Sequence, residues 1–389
     1  MTHLKKEEEK MRDQVSLKSL TASDMALSIE FSTGLESRFH WLWLRENCHC
    51  AECHHPQTWE RIVDTFKIDP KIKAKSYELT SEGTILSLTW PDGHKTEIKA
   101  GWLIDHAYDG HRVSNGLPEI KYWSTENLGE RPSVEAADVL DSEEGLKEFI
   151  TQLRVYGFSI VKNLAPEMGK VEELAKRVGY LRDTHFGIDF TVESKPDPNN
   201  VAYTSVELKA HTDLPNLESP PGIQFLHCLQ FEATGGESIL VDGFAVADQL
   251  RKENPKAYDD LTRIPVNYRF VDKEWDLRWN SPAIRLDYNG EMEEIRYHNA
   301  LTATREAGFD DMTAIYEGLR AYTEVLRRPE FELKFKLEPG EVMVFHNRRV
   351  LHGRGEFDPN SGPRMLRGCY VDCDQAWSKL RVLQGMNHL

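Results

Sequence analysis

His211 and Asp213, separated by Thr212 near mid-chain, are answered by His352 in Val350-Leu351-His352-Gly353-Arg354. Two imidazoles and one carboxylate in the pattern His-x-Asp…His can occupy one face of an octahedral iron(II) and leave the opposite face open. Arg364, shortly after the second histidine, stands where such a site would grip a carboxylate co-substrate through two parallel N–H bonds. One His-x-Asp is expected by chance in a chain with 15 histidines, so context must carry the weight. His211 and Asp213 precede the turn Leu214-Pro215-Asn216 and the breaker Ser219-Pro220-Pro221-Gly222, and a buried-strand pattern follows from Ile223 to Leu229. His352 follows the apolar run Val342-Met343-Val344-Phe345 and the polar turn His346-Asn347-Arg348-Arg349. Both halves thus lie at strand ends, where a rigid sheet can hold ligands around a cavity. The pattern implies an oxygenase that uses iron and 2-oxoglutarate.

A second cluster packs Cys48, Cys50 and Cys53 into six residues. Three thiolates need one more ligand to close a tetrahedral zinc site. His94, on the turn Pro91-Asp92-Gly93, is the chosen fourth, with His49, His54 and His55 nearer in sequence but less easily placed opposite the thiols. Four protein ligands leave no open position, so this zinc serves folding.

The elements that must position these groups differ along the chain. A charged tail is expected over residues 1–26, a short-stranded zinc-binding domain over 27–106, a linker over 107–137 and the catalytic domain over 138–389. Thr84 to Trp90 alternates as a strand, and Trp41 and Trp43 are expected on one strand face. Asp141 and Glu144 form a plausible capping box for a helix carrying Leu146, Phe149, Ile150 and Leu153, stopped at Gly157. Further helices are expected around Val171–Val178, from Ala245 to Asn254 before Pro255, and from Met312 to Leu326. The remainder is strand-like, with strands expected at Phe158–Val161, Ser238–Val241, Ile284–Tyr288, Glu294–Tyr297, Phe331–Leu337, Glu341–Phe345 and Met365–Val371. Many short strands with flanking helices predict a mainly β fold, a distorted sandwich or barrel with inserts.

Composition excludes more than it identifies. With 389 residues and a net charge of -16, the chain is ill suited to a nucleic-acid groove or an anionic membrane surface. No apolar stretch approaches the ~20 residues of a membrane span, and the charged N-terminus lacks a signal-peptide core. Six cysteines, three clustered and three scattered, make no disulfide framework. A cytoplasmic enzyme is expected.

From Trp41-Leu42-Trp43-Leu44-Arg45 onward, the chain resembles the γ-butyrobetaine dioxygenase and trimethyllysine dioxygenase family. The resemblance rests on Cys48-x-Cys50-x-x-Cys53, Asn199-Asn200-Val201-Ala202-Tyr203-Thr204, His211-Thr212-Asp213-Leu214-Pro215, Gly235-Gly236-Glu237-Ser238-x-x-x-Asp242-Gly243-Phe244 and Val350 to Arg354. It implies a double-stranded β-helix (jelly-roll) catalytic domain, a small N-terminal zinc-bound domain and a homodimer. It also implies Fe(II), 2-oxoglutarate and O2 as reaction partners, with structural Zn(II). By matching position, His211, Asp213 and His352 are iron ligands, Arg364 holds the distal carboxylate of 2-oxoglutarate and Ser238 adds a helping hydroxyl. Tyr203 and Tyr370 match walls of a trimethylammonium cage, and Asn200 a contact to the substrate carboxylate. Phe186 and Phe190 stand where the better-known branch has a tyrosine and a tryptophan. The segment Arg296-Tyr297-His298-Asn299-Ala300-Leu301-Thr302 departs from the family's asparagine-bearing stretch. There Asn299 substitutes, and His298 or Arg296 offers a donor to a second anionic charge. The implied substrate is γ-butyrobetaine, with 2-(trimethylamino)ethylphosphonate and trimethyllysine as alternatives. A non-catalytic β-helix protein that binds metal or ligand is the rival from another class.

Overall fold

The computed structural model describes residues 15–110, 115–193 and 205–385, and the chain divides into two units between Gly116 and Leu117. In the first unit β1 (Leu17–Ala22), β2 (Ala26–Phe31) and β3 (Glu36–His40) form an antiparallel meander. A short helix, α1 (Trp41–Glu46), leads towards a second meander of β4 (Ser76–Thr80), β5 (Ile85–Thr89) and β6 (Lys95–Lys99), followed by α2 (Ala100–Asp105). Alternation builds the core, since Leu27, Ile29 and Phe31 on β2 and Leu86 and Leu88 on β5 join Trp41, Leu44 and Trp90 in one cluster. Two expectations need correction. The stretch expected as a tail contains β1, so sheet pairing starts at Leu17. Trp41 and Trp43 share no strand face, because the segment is helical and buries Trp41 with Leu44 and Arg45 at helical spacing.

The second unit takes in residues 117–137, which were expected as a linker. Trp123 is buried there, and β7 (Ser133–Glu135) runs parallel to β8 (Phe158–Lys162) across α3 (Ala136–Asp141) and α4 (Glu143–Val155). The cap of α4 is Ser142, whose hydroxyl accepts from Gly145 N, and not Asp141. Leu146, Phe149, Ile150 and Leu153 are buried as their spacing predicts. Then come α5 (Lys170–Val178), β9 (Asp189–Val192), β10 (Leu208–His211), β11 (Ile223–Phe231), β12 (Thr234–Gly235) and β13 (Ser238–Asp242). Pro255 ends α6 (Gly243–Glu253) and also opens α7 (Pro255–Arg263), a helix the pattern did not announce. The hairpin β14 (Pro265–Val271) and β15 (Asp276–Pro282) follows, then β16 (Ile284–Leu286), β17 (Met292–Ile295) and α8 (Phe309–Leu326). The chain closes with β18 (Leu333–Phe335), β19 (Val342–His346), β20 (Val350–Arg354), β21 (Phe357–Asp358), β22 (Arg364–Val371) and α9 (Cys373–Leu383).

Two sheets enclose the site. The larger has the order β7-β8-β19-β11-β22-β9, the smaller β10-β20-β13-β18. Their facing residues meet in one cluster, with Ile160, Leu226, Phe231, Met343 and Leu366 from the larger sheet and Leu240, Phe335 and Val350 from the smaller. Alternate residues point outward: Phe225, Val342 and Val344 against α4 and α5, Ile239, Val241 and Leu351 against α6 to α8. This is the double-stranded β-helix the resemblance implies.

One buried ion pair ties these layers. Arg349 Nε and Nη2 donate to Asp242 Oδ1 (3.0 Å) and Oδ2 (2.7 Å), with both side chains at 0 % exposure. Arg349 also donates to the carbonyls of Val155 and Lys121, and Asp242 accepts from Trp123 N and Phe244 N. Removing one partner strands the other charge without water. Arg349→Met is therefore expected to destabilise the chain by about 3–5 kcal/mol, and pairing it with Asp242→Leu to recover part of that loss. Denaturant unfolding measures both, and a single-variant loss under about 1 kcal/mol would contradict the argument.

Candidate active site

Register brings the metal-binding groups together. His211, at the end of β10, lies directly opposite His352 on β20. The two strands come close because position 353 is glycine, where a Cβ would stand 2.7 Å from the Leu208 carbonyl oxygen. His211 Nδ1 donates to Lys209 O (2.8 Å), which leaves the Nε2 lone pair facing Asp213 Oδ1 at 3.2 Å. His352 Nε2 stands 3.8 Å from the same oxygen. Burial and the nearby His211 push His352 down to about 3, so it is a neutral imidazole, the form that binds metal. Burial alone would raise Asp213. Any proton on the His352 or His211 ring, together with the Tyr370 hydroxyl, outweighs it and holds the carboxyl well below its usual range. A carboxylate oxygen and two Nε2 atoms thus converge with lone pairs inward, which fits a divalent cation.

His298 joins this cluster. Its ring centroid is 4.3 Å from that of His211, and one of its ring nitrogens lies within 4.8 Å of a ring nitrogen of His211 and a carboxylate oxygen of Asp213. Thr212 explains the proximity, because its N–H donates to Tyr297 O and its hydroxyl accepts from Tyr297 N. Burial, with His211 beside it, pushes His298 down to about 3, so it supplies no cation. Arg296, expected as a possible anion donor, is 1 % exposed and bonded to Glu294 and to the carbonyls of Pro215, Leu217 and Glu218. It braces the chain after Asp213 and takes no part in the pocket.

A cavity of about 770 Å³ opens over these ligands. Arg364, Leu366 and Tyr370, alternate residues of β22, line it, as do Phe186, Phe190, Ser238 and Asn299. The Phe190 and Tyr370 rings lie 5.2 Å apart, and Gly368 leaves the space, since a Cβ there would meet Phe190 Cζ at 2.5 Å. Tyr370 has a second task that sequence reasoning did not foresee: its hydroxyl donates to Asp213 Oδ2 at 2.8 Å. Phe186 packs with His185 and Phe270. Asn200 and Tyr203 lie outside the described residues.

Arg364 is 9 % exposed, its guanidinium stands over Phe231 and Phe357, and Nε has no hydrogen-bond partner. Burial, with Arg354 nearby, pushes it down to about 10. A buried cation held against aromatic faces, with an N–H unused, could receive a carboxylate. Ser238 is opposite Arg354 in the β13–β20 ladder, at the same end of the cavity wall. Arg367 is engaged elsewhere, with Glu172, Thr191 and Asp189.

In the first unit, Cys48, Cys50 and Cys53 place their sulfurs 3.3, 3.7 and 3.5 Å from His94 Nε2. His94 is the fourth member, and His54 instead turns Nδ1 to the Cys48 carbonyl. Glu52 lies 3.5 Å from His94 Nδ1, and Arg45 donates to Cys53 Sγ at 3.4 Å. Four soft or borderline donors within 4.8 Å of one another fit zinc.

Comparison with known proteins agrees with this geometry. The family described as taurine catabolism dioxygenase TauD, TfdA matches residues 121–370, and the γ-butyrobetaine hydroxylase-like N-terminal family matches residues 18–103. The chain belongs to the TauD, TfdA dioxygenase family. It is 38% identical to the γ-butyrobetaine dioxygenase of Pseudomonas sp. (strain AK-1) over 95% of this chain and 96% of that protein. It is 35% identical to the mitochondrial trimethyllysine dioxygenase of Gallus gallus, over 89% and 83% respectively. Among solved structures, AAD-2 in complex with Mn(II) and N-oxalylglycine shares the fold at a TM-score of 0.50 and 14% identity, over 66% of this chain and 98% of that one.

Within this member of the TauD, TfdA family, one positioning residue escaped sequence reasoning. Asn347, fully buried, accepts from Asp213 N (2.7 Å) and donates to the carbonyls of Asp213 and Pro221. It pins the turn in which Leu214 adopts a left-handed φ of 55°, a strained conformation for a branched side chain. Its only mark in sequence is an asparagine in a polar turn. Asn347→Leu is expected to weaken divalent-metal binding by about 10–100-fold while the fold persists. Metal titration beside thermal unfolding separates the two effects.

Proposed function

We propose that the chain hydroxylates a small trimethylammonium zwitterion in an iron(II)- and 2-oxoglutarate-dependent reaction, with γ-butyrobetaine, giving L-carnitine, as the leading substrate. The observation that carries this reading is the Phe190–Tyr370 aromatic corner in the same cavity as the His211, Asp213 and His352 cluster. The relatives named γ-butyrobetaine dioxygenase and trimethyllysine dioxygenase support it. In this proposal His211, Asp213 and His352 hold the iron. The His211 Nδ1 bond to Lys209 and the Tyr370 bond to Asp213 fix the ligands' orientation. Arg364 takes the distal carboxylate of 2-oxoglutarate, with Ser238 beside it. When bound, iron(II), 2-oxoglutarate and O2 supply oxidative decarboxylation to succinate and CO2 with insertion of one oxygen atom into a C–H bond. The protein decides which carbon is presented. A quaternary ammonium has no N–H to give, so aromatic faces recognise it by apolar contact and charge–quadrupole attraction. Tyr203 and Asn200 complete the cage and the anion contact in this proposal, and two such chains form a homodimer.

The departure at residues 296–302 raises 2-(trimethylamino)ethylphosphonate as a second substrate. Arg296 is bound into the core and His298 is neutral, so neither provides the added charge that a phosphonate dianion would want. The segment that departs from the family therefore gives no ground for preferring a phosphonate over a carboxylate. Succinate release across trimethylammonium acids and phosphonates tests the choice, and release with none of them would overturn the proposal. Stepwise demethylation of the substrate ammonium is expected to lower kcat/KM at each step, because an N–H⁺ loses its water without gaining an acceptor.

Arg364→Ala is expected to raise the 2-oxoglutarate requirement by roughly 3–5 kcal/mol of lost binding while iron binding stays near wild type. Titrating each ligand separately checks this, and an unchanged 2-oxoglutarate KM would move the role to Arg354.

Zinc on Cys48, Cys50, Cys53 and His94 serves the fold of the first unit. Burial raises Cys48 and pushes Cys53 up to about 12, so the metal must displace protons and its apparent affinity should rise with pH. Cys50→Ser is expected to lower yield and stability more than turnover per folded molecule. Metal analysis finding no zinc, with three freely reactive thiols, would contradict it.

A further inference from the structure

A zwitterion needs a seat for its anion as well as its cation, and most charged groups on the cavity wall already have partners. Lys209 pairs with Glu207 and Arg269 with Asp276, while Arg354 donates to the carbonyls of Val206 and Gly355. Arg364 lies six residues before Tyr370 on β22, at the end of the strand away from the aromatic corner. That leaves Arg327, which lines this cavity and also a side cavity of about 410 Å³. The carboxylates that share these walls are taken: Glu324 pairs with Arg320 (3.7 Å) and Glu332 with Lys334 (2.6 Å). Among the described residues none forms an ion pair with Arg327.

Its position is built and not incidental. Arg327 caps α8, its N–H donating to Thr323 O. The hydroxyl of the same Thr323 is 2.7 Å from the Tyr297 hydroxyl. This bond ties the last turn of α8 to the segment carrying His298 and Asn299, both of which line the same two cavities as Arg327. Arg327 and Asn299 are exposed, so neither guanidinium nor carboxamide must lose a protein partner to receive a ligand.

We propose that Arg327, with Asn299 beside it, is the anion seat of the substrate pocket, where the two cavities meet. The proposal rests on the trimethylammonium reading and adds a charged group to the neutral Asn200 contact assigned to the other end. A planar guanidinium matches a carboxylate through two parallel N–H bonds.

The test compares γ-butyrobetaine with its methyl ester, which keeps the cation and loses the anion. Both are titrated into the protein loaded with iron(II) and 2-oxoglutarate without oxygen. Wild type should prefer the acid. Arg327→Gln should weaken the acid about tenfold, leave the ester unchanged and raise KM with little effect on kcat. Arg327→Lys should restore part of the preference, and Phe190→Leu should weaken both compounds alike. A variant that keeps the acid preference, or that weakens acid and ester equally, overturns the anion seat while leaving the trimethylammonium reading intact. If wild type binds neither compound, γ-butyrobetaine is not the ligand of this pocket and the seat argued for its carboxylate falls.

Discussion

Everything in the catalytic unit hangs on the buried contact between Asp242 and Arg349. Two opposite charges with no access to water are tolerable only when each lone pair and N–H is used, and here both are. Asp242 ends β13 and caps α6, and Arg349 closes the turn that leads into β20. Their bond sets the β13–β20 ladder, and that ladder sets where His352, Arg354 and Ser238 stand. Arg349 also reaches the carbonyls of Lys121 and Val155, so the segment before β7 and the end of α4 are fastened at the same point. The metal-binding face is a few residues along a strand whose origin this pair fixes.

The cavity itself is organised by unmet charge. Asp213 stays ionised among two imidazoles and a phenol, and Arg364 stays charged against two aromatic faces. Each is costly to bury alone, and in the proposed reaction a cation would answer the first and a carboxylate the second. His352 and His298 are driven neutral by the same burial, so the imidazoles offer lone pairs where protonated rings would repel a metal. Beside the metal ligands, backbone strain falls at the turn at Leu214 and is restrained by Asn347, which contacts backbone on both sides of it. Strands carry His211 and His352, and the strained turn beside Asp213 is held from outside.

Much of this was legible beforehand where chemistry is local. The helix bearing Leu146, Phe149, Ile150 and Leu153 follows from its spacing, and the strands bearing Ser238, Val342 and Met365 follow from their apolar runs. Residue type alone marks Cys48, Cys50 and Cys53 as a metal cluster. Trp41-Leu42-Trp43 was less tractable, because a short apolar run suits helix and strand equally and only packing against β2 and β5 decides between them. The same holds for Ser142 against Asp141 as a cap, where adjacent residues have near-equal propensity.

What the sequence by itself determined is the inventory: a His-x-Asp…His set, a following arginine, a thiol cluster and aromatic residues near strand ends. Side-chain chemistry is a property of the residue and survives without knowledge of its neighbours. Only the tertiary structure decided which charges are free. Arg296 and Arg327 are equally basic in sequence, yet one is bonded to four chain atoms in the core and the other faces a cavity. Tyr370 could be named as a wall, but its hydrogen bond to Asp213 required β22 to lie across the site from β10. Availability depends on partners distant in the chain, and distances between such partners are set by the fold.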